Sequence, residues 1–197
     1  MSPITQNQWN SFLQALLSQF NSNYGQQRIN CFSRLPYFFE DWLKGECAVV
    51  ASSVFANSRI FINEMFQGIQ NLDMGLDVGG NLCALELKHI ATGSRDAKSR
   101  FLGPKSSNAV QDFLKLYNFN PRNHILCKLL FLYGPTQLTH NQGPSCQRSK
   151  QGLNRICLKC AMDLFIQRII QRIGIQNVNW QCHRLQINQM YIVEVDI

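Results

Sequence analysis

The chain has 197 residues, of which 45% are hydrophobic and 16% are charged, so it can bury a core and is too apolar for extended disorder. Its 19 Lys and Arg residues against 12 Asp and Glu residues give a net charge of +7, which favours a polyanionic partner such as nucleic acid. No apolar run reaches the roughly 18 residues of a membrane span, and 8 cysteines without a secretion signal indicate a reducing cytoplasm.

The N-terminal part of the chain is predicted to be helical. Thr5 and Gln8 have the spacing of a capping box, and an apolar stripe at helical spacing follows as far as Phe20. A second helix is predicted from about residue 36 to about residue 55, with Glu46 inside its apolar stripe. We interpret residues 1–35 as a helical N-terminal extension of one domain that covers residues 1–197.

Strand patterns dominate the middle of the chain. A strand is predicted at 59–67, followed by a hairpin with strands near 72–78 and 82–90. A short helix is predicted over 108–119, and the apolar run 124–134 is typical of a buried strand.

The C-terminal part is predicted to begin with a loop rich in Gln, Gly and Ser that extends to about Gly152. A long helix over 153–173 and strands over 180–187 and 190–197 then complete the chain. Because helices and strands interleave, we expect an α/β single domain in which helices flank a mixed central sheet.

The hairpin LDVGGNLCALELKHI contains three charged residues between apolar ones. A two-residue type II′ loop at Gly80-Asn81 would place Asp77 opposite Ala84 and diagonal to Glu86, on one face with Lys88. Diagonal neighbours lie roughly 7–8 Å apart, so two carboxylates could converge on one ion. Oxygen ligands of this kind suit Mg²⁺, and a bound divalent ion activates water toward a phosphoryl group. The hairpin therefore predicts phosphodiester hydrolysis.

These residues carry a resemblance to a known superfamily. Asp77 followed by Glu86-Leu87-Lys88 resembles the PD-(D/E)xK signature of restriction-endonuclease-like nucleases, and the predicted element order around it is similar to their core. The resemblance implies that Asp77 and Glu86 bind Mg²⁺, with Mn²⁺ as a substitute, and that Lys88 assists the attacking water. It also implies an additional glutamate on the preceding helix, for which Glu46 fits best and Glu64 is the alternative.

Two basic segments are candidates for contact with a nucleic acid. The first follows the hairpin in the loop 91–107, and the second precedes or opens the long helix near 148–159. The first segment is the better candidate, because it leaves the proposed site directly. Its basic residues are Arg95, Lys98, Arg100 and Lys105.

The cysteines near the long helix suggest an alternative. Cys157 and Cys160, with Cys146 upstream and Cys182-His183 downstream, could supply zinc ligands, but their spacing is irregular. Cys157 and Cys160 also fit the apolar stripe of the helix as small buried thiols. His89 alternates away from the proposed site and is interpreted as a core histidine or one that faces a helix.

The sequence therefore predicts a cytoplasmic, Mg²⁺-dependent nuclease that acts on DNA more readily than on RNA. A restriction or defence endonuclease is the natural interpretation, and such an enzyme would act as a homodimer. The alternatives are a nucleic-acid-binding module of the same fold that does not cleave, and an interaction protein stabilised by zinc.

Overall fold

The computed structural model describes residues 2–32, 39–92, 97–102, 108–123, 125–136, 157–187 and 189–197. Within these ranges the helices are α1 (Gln6–Asn21), α2 (Asn23–Phe32), α3 (Phe39–Val54), α4 (Ala97–Leu102), α5 (Ala109–Asn123) and α6 (Leu158–Ile173). The strands are β1 (Ser2–Pro3), β2 (Arg59–Phe66), β3 (Ile69–Val78), β4 (Asn81–Ala91), β5 (Leu126–Gly134), β6 (Trp180–Arg184) and β7 (Tyr191–Asp196).

One mixed sheet organises the described residues. Its strand order is β2-β3-β4-β5-β7-β6, and β1 pairs with β4 beside this path. Strands β4 and β5 are parallel, whereas β3 with β4 and β5 with β7 are antiparallel. The parallel pair is joined by a crossover that contains α5, which brings this helix onto the sheet beside β4.

Helices cover both faces of the sheet. Apolar residues of α1, α2 and α3 share a core with Leu85 and Leu87 of β4. Apolar residues of α4, α5 and α6 share a second core with Leu129 and Phe131 of β5. The predicted α/β domain with a mixed sheet between helices is confirmed. Among the described residues, no helix has both the length and the apolar character needed to cross a membrane.

The N-terminal segment contains two helices. Helix α1 begins at the predicted capping box, in which Thr5 N donates to Gln8 Oε1 at 2.9 Å and Gln8 N donates to Thr5 Oγ1 at 3.3 Å. Helix α2 begins at Asn23, beyond the helical stripe that was predicted as far as Phe20. Phe20 of α1 and Ile29 of α2 are fully buried in the core that α3 also lines, so the segment contributes to the same core.

Elsewhere the predicted elements differ mainly at their ends. Strand β3 begins three residues before the predicted start at 72, and α4 lies inside the segment predicted as the loop 91–107. Helix α6 ends at Ile173 as predicted, whereas the predicted loop up to 152 and the first residues of the helix lie largely outside the described ranges.

Gly75 of β3 is required by close packing. A Cβ atom added there would lie 2.5 Å from Phe66 Cγ, well inside van der Waals contact. We expect Gly75→Ala to lower the free energy of unfolding by about 1–3 kcal/mol, because the Phe66 ring must move in a filled core. Urea denaturation measures the change. Gly45→Ala on α3 is the matched control: among the described residues, no atom apart from the adjacent residues and the helix's own backbone lies within 4 Å of the added Cβ, so it should stabilise by about 0.5–1 kcal/mol.

Candidate active site

The turn between β3 and β4 sets the register of the site. Its two central residues are Gly79 and Gly80, with φ of 61° and 86°, and Val78 pairs with Asn81. A type I′ turn requires positive φ at both central residues, and Gly-Gly meets that demand better than the predicted Gly80-Asn81 loop. The predicted register is therefore wrong by two residues, although the parity of the faces is unchanged.

This shift separates Asp77 from Glu86. Asp77 pairs with Leu82, and it lies on the predicted face but about 13 Å along the strand from the position opposite Glu86. Asp77 Oδ1 accepts a hydrogen bond of 2.9 Å from Gly80 N, and Oδ2 pairs with the exposed guanidinium of Arg59. The hydrogen bond from Arg59 lowers the pKa of Asp77, with help from the Gly80 amide. Asp77 thus stabilises the turn, and the structure does not bring it to the predicted metal site.

Asp73, and not Asp77, is the carboxylate of β3 that lies beside Glu86. The observed register pairs Met74 with Leu85, so one further step brings Asp73 opposite Glu86. Asp73 Oδ2 accepts a 2.9 Å hydrogen bond from Leu87 N, and the carboxyl groups of Asp73 and Glu86 hydrogen-bond with each other. Both residues are buried. Two carboxyl groups from neighbouring strands therefore meet at one point.

Burial and mutual repulsion leave one proton on this pair. Burial raises the pKa of Glu86 to about 9, and the charge of Asp73 and the hydrogen bond between them act in the same direction. Burial alone would raise the pKa of Asp73, but hydrogen bonds from Glu86, Lys44 and Leu87 N lower it. The opposite directions of the two pKa shifts favour protonation of Glu86 over protonation of Asp73. Two carboxyl groups in contact repel each other when both are ionised, which raises the pKa of one of them.

Two lysines flank the carboxyl pair. Lys44 Nζ of α3 lies 2.8 Å from Asp73 Oδ1 and donates to Asn63 Oδ1 at 2.9 Å. Lys115 Nζ of α5 pairs with Glu86 Oε1. Burial works against the charge of Lys44, but Asp73 outweighs it, so the pKa of Lys44 is raised and its ammonium stays charged. Positive charge thus reaches the pair from both neighbouring helices.

Lys88 lies on the same face of β4, held by two further carboxylates. Its Nζ is 2.9 Å from Glu40 Oε1 of α3 and 3.0 Å from Asp112 Oδ2 of α5. Burial would lower the pKa of Lys88, but the charges of Asp112 and Glu40 raise it instead. Glu40 Oε2 also accepts a 2.7 Å bond from Arg100 of α4. Lys88 is therefore a fixed, permanently charged donor beside the carboxyl pair.

Glu40 contacts Lys88, whereas Glu46, the predicted helix glutamate, does not reach the site. Six residues of an α-helix turn through about 240°, which directs Glu46 away from Lys88. Glu46 Oε1 accepts bonds of 2.6 Å from Arg28 Nη1 and 2.9 Å from Trp42 Nε1, so it joins α3 to α2. The alternative, Glu64, is exposed on β2.

The predicted nucleic-acid-binding residues are only partly described. Arg95 and Lys105 lie outside the described residues, as does the side chain of Lys98. Arg100 is described, and its bond to Glu40 makes it part of the charged network around Lys88. Contact of these four residues with nucleic acid stays a prediction.

The described cysteines of the zinc alternative and His89 lie in apolar surroundings. Cys157, Cys160 and Cys182 line the second core, and Cys146 lies outside the described residues. His89 is buried and stacks on Phe39 of α3 with ring centroids 3.7 Å apart, which confirms its interpretation as a residue that faces a helix. Burial, aided by the charge of Arg100, lowers its pKa to about 4.

The donor set of the carboxyl pair fits a Mg²⁺ ion. Mg²⁺ is bound through one or two carboxylates while it keeps several waters. Asp73 and Glu86 supply two carboxyl groups as ligands, and a bound cation would displace the proton that they share. Within the described ranges, no group of three or more His, Cys, Asp or Glu side chains is arranged to hold an ion. A metal ion at this site would therefore be bound by the carboxyl groups of Asp73 and Glu86, with water and substrate as further ligands.

Comparison of this chain with family models, with curated proteins and with solved structures gave no match.

Proposed function

We propose that this chain is a metal-dependent nuclease whose site consists of Asp73, Glu86 and Lys88. The observation that carries the proposal is the pair of buried carboxyl groups from adjacent strands, with a charged lysine on the same face. Such an arrangement costs stability in a protein core and is typical of functional sites.

Asp73 and Glu86 would hold the divalent ion. When bound, Mg²⁺ supplies an activated water and stabilises charge on a phosphoryl group. Lys88 donates hydrogen bonds from an ammonium that stays protonated, so it orients water or stabilises a phosphate oxygen and does not act as a base. Glu40 and Asp112 hold Lys88 in this orientation, with Nζ 2.9 and 3.0 Å from their oxygens.

The element order supports the resemblance to PD-(D/E)xK nucleases. Helix α3, strands β2, β3 and β4, helix α5 and strand β5 occur in the order that the resemblance implies, with the short helix α4 between β4 and α5. With the observed register the pattern becomes Glu40, Asp73 and Glu86-Leu87-Lys88, which includes a glutamate on the preceding helix. Asp73 and Glu40 thus replace Asp77 and Glu46 in the proposal.

DNA remains the proposed substrate. The net charge of +7 favours a phosphate backbone, and Lys115, with 30% of its side chain exposed, places a cation at the rim of the site. The homodimer and the cytoplasmic location stay predictions. The seven cysteines that the structure describes form no disulfide, which fits a reducing compartment.

A second candidate is a nucleic-acid-binding module that does not cleave. It is favoured by the lysine partners of the carboxyl pair, because Lys44 and Lys115 already contact Asp73 Oδ1 and Glu86 Oε1, the oxygens that a metal could use. An enzyme requires at least Lys115 to give way when a cation binds.

Two substitutions on one strand test the proposal. We expect Asp73→Asn to reduce cleavage of plasmid or oligonucleotide DNA by more than about 100-fold with Mg²⁺ or Mn²⁺, because it removes a metal ligand. Asp77→Asn, on the same face of β3, should keep cleavage and lose only part of the turn stabilisation. Gel assays with and without EDTA measure both.

The outcomes separate the candidates. Equal loss of cleavage in both variants would exclude Asp73 as the specific metal ligand. Binding of DNA without metal-dependent cleavage by the unaltered chain would favour the non-cleaving module.

A further inference from the structure

An open cleft of about 530 Å³ lies beside the carboxyl pair. The turn between β2 and β3 forms one wall and α5 forms the other. Residues that line it include Gly68, Gln70, Asn71, Lys115, Asn118 and Phe119. The cleft is within the usual size range of sites that bind small molecules or parts of larger ones.

Lys115 connects this cleft to the proposed active site. Its Nζ donates to Asn71 O at 2.6 Å and also contacts Glu86 Oε1. The cleft therefore adjoins the carboxyl pair. It lies between β3, which carries Asp73, and α5, which carries Asp112. A group bound at the carboxyl pair would have its neighbouring group in the cleft.

The lining has the chemistry of a nucleobase subsite. The side chains of Gln70, Asn71 and Asn118 each carry amide donors and an acceptor, which match the edges of bases. Phe119 lines the same cleft, and aromatic rings support stacked bases without regard to sequence. None of the described residues that line the cleft carries a carboxylate, so a polyanion would meet the cation Lys115 there without repulsion from the lining.

We infer that this cleft binds an unpaired nucleobase of the nucleotide next to the scissile phosphate. The inference rests on the proposed function and gives it a substrate class, which is single-stranded DNA or a locally unpaired strand. A base stacked inside a duplex cannot enter such a cleft unless it leaves the stack. Lys115 would contact the phosphate between the carboxyl pair and the cleft.

Binding measurements with Ca²⁺ in place of Mg²⁺ test the inference without cleavage. The probes are a fluorescent single strand of about 16 nucleotides, the same strand in a duplex, and the same strand with abasic positions. We expect the unaltered chain to bind the single strand at least about fivefold more tightly than either other probe. The double variant Gln70→Ala/Asn118→Ala should lose that preference, and both side chains are exposed, so the fold should survive.

A matched control makes the result decisive. Gln14→Ala removes an exposed amide from α1, outside the cleft, and should bind all three probes like the unaltered chain. Equal binding of the three probes by the unaltered chain, or an unchanged preference in the double variant, would overturn the inference. If the unaltered chain keeps the preference but does not cleave with Mg²⁺ or Mn²⁺, the cleft stands and the proposed nuclease fails.

Discussion

Glu86→Gln is expected to abolish metal-dependent cleavage and to stabilise the metal-free fold at pH 8. Glutamine has the shape of a protonated glutamate: its amide can donate to Asp73, and its oxygen can accept from Lys115. The glutamine therefore keeps the hydrogen bonds of the carboxyl pair, and no proton has to be bound at residue 86. We expect cleavage to fall by more than about 100-fold and the free energy of unfolding to rise by about 1–3 kcal/mol.

The stabilisation should depend on pH with a defined sign. The pKa of Glu86 rises from 4.5 to about 9 in the folded chain, so between these values the folded state holds a proton that the unfolded chain has lost. The unaltered chain consequently loses stability as the pH rises through this window. The glutamine side chain of the variant does not titrate, so the advantage of the variant should be small at pH 5 and largest near pH 9.

Thermal or urea unfolding at pH 5, 7 and 8 in EDTA measures this difference. Added Mg²⁺ or Mn²⁺ should stabilise the unaltered chain, increasingly so at higher pH, because metal binding releases the shared proton. The variant should show little response to the metal. A variant that is less stable than the unaltered chain at pH 8 would contradict the shared proton.

The fold class could be predicted from the sequence because its signals are strong and local. The capping box at Thr5, the helical stripe that follows it and the apolar run of β5 each specify an element by period and by boundary. Glu86 and Lys88 were also identified, because alternation along β4 assigns side chains to faces whatever the register.

The partners of Glu86 and Lys88 could not be identified in the same way, since they depend on distance along the strands and on helix packing. Placing the turn at Gly80-Asn81 instead of at Gly79-Gly80 selected Asp77 instead of Asp73 as the partner of Glu86. The Gly-Gly pair is the sequence signal that favours the observed turn. Glu40 was missed because Glu46 lies in the apolar stripe, although the Glu46 carboxylate contacts Gln19 of α1 and Arg28 of α2. Asp112 enters the site only through the packing of α5 on the sheet.

Lys88→Met is expected to remove cleavage. It should also destabilise the fold, whereas Glu86→Gln should stabilise it. Lys88 is buried, and its ammonium compensates Glu40 and Asp112. Loss of one member of a buried ion pair costs about 3–5 kcal/mol. Burial already raises the pKa of Asp112, so this carboxyl should take up a proton in the variant. The cost should therefore be large at pH 8 and shrink toward pH 5, as urea unfolding would measure.

A double variant separates the charge balance of the site from its chemistry. Lys88→Met/Asp112→Asn removes one charge of each sign, while Arg100 still pairs with Glu40. It should regain much of the stability lost in Lys88→Met, because no carboxylate of this described cluster is left buried without a cation. Cleavage should remain absent, since the ammonium that orients water or stabilises a phosphate oxygen beside the carboxyl pair is gone. Recovery of cleavage together with stability would show that Lys88 only balances charge, and the catalytic role would then rest on Asp73 and Glu86 alone.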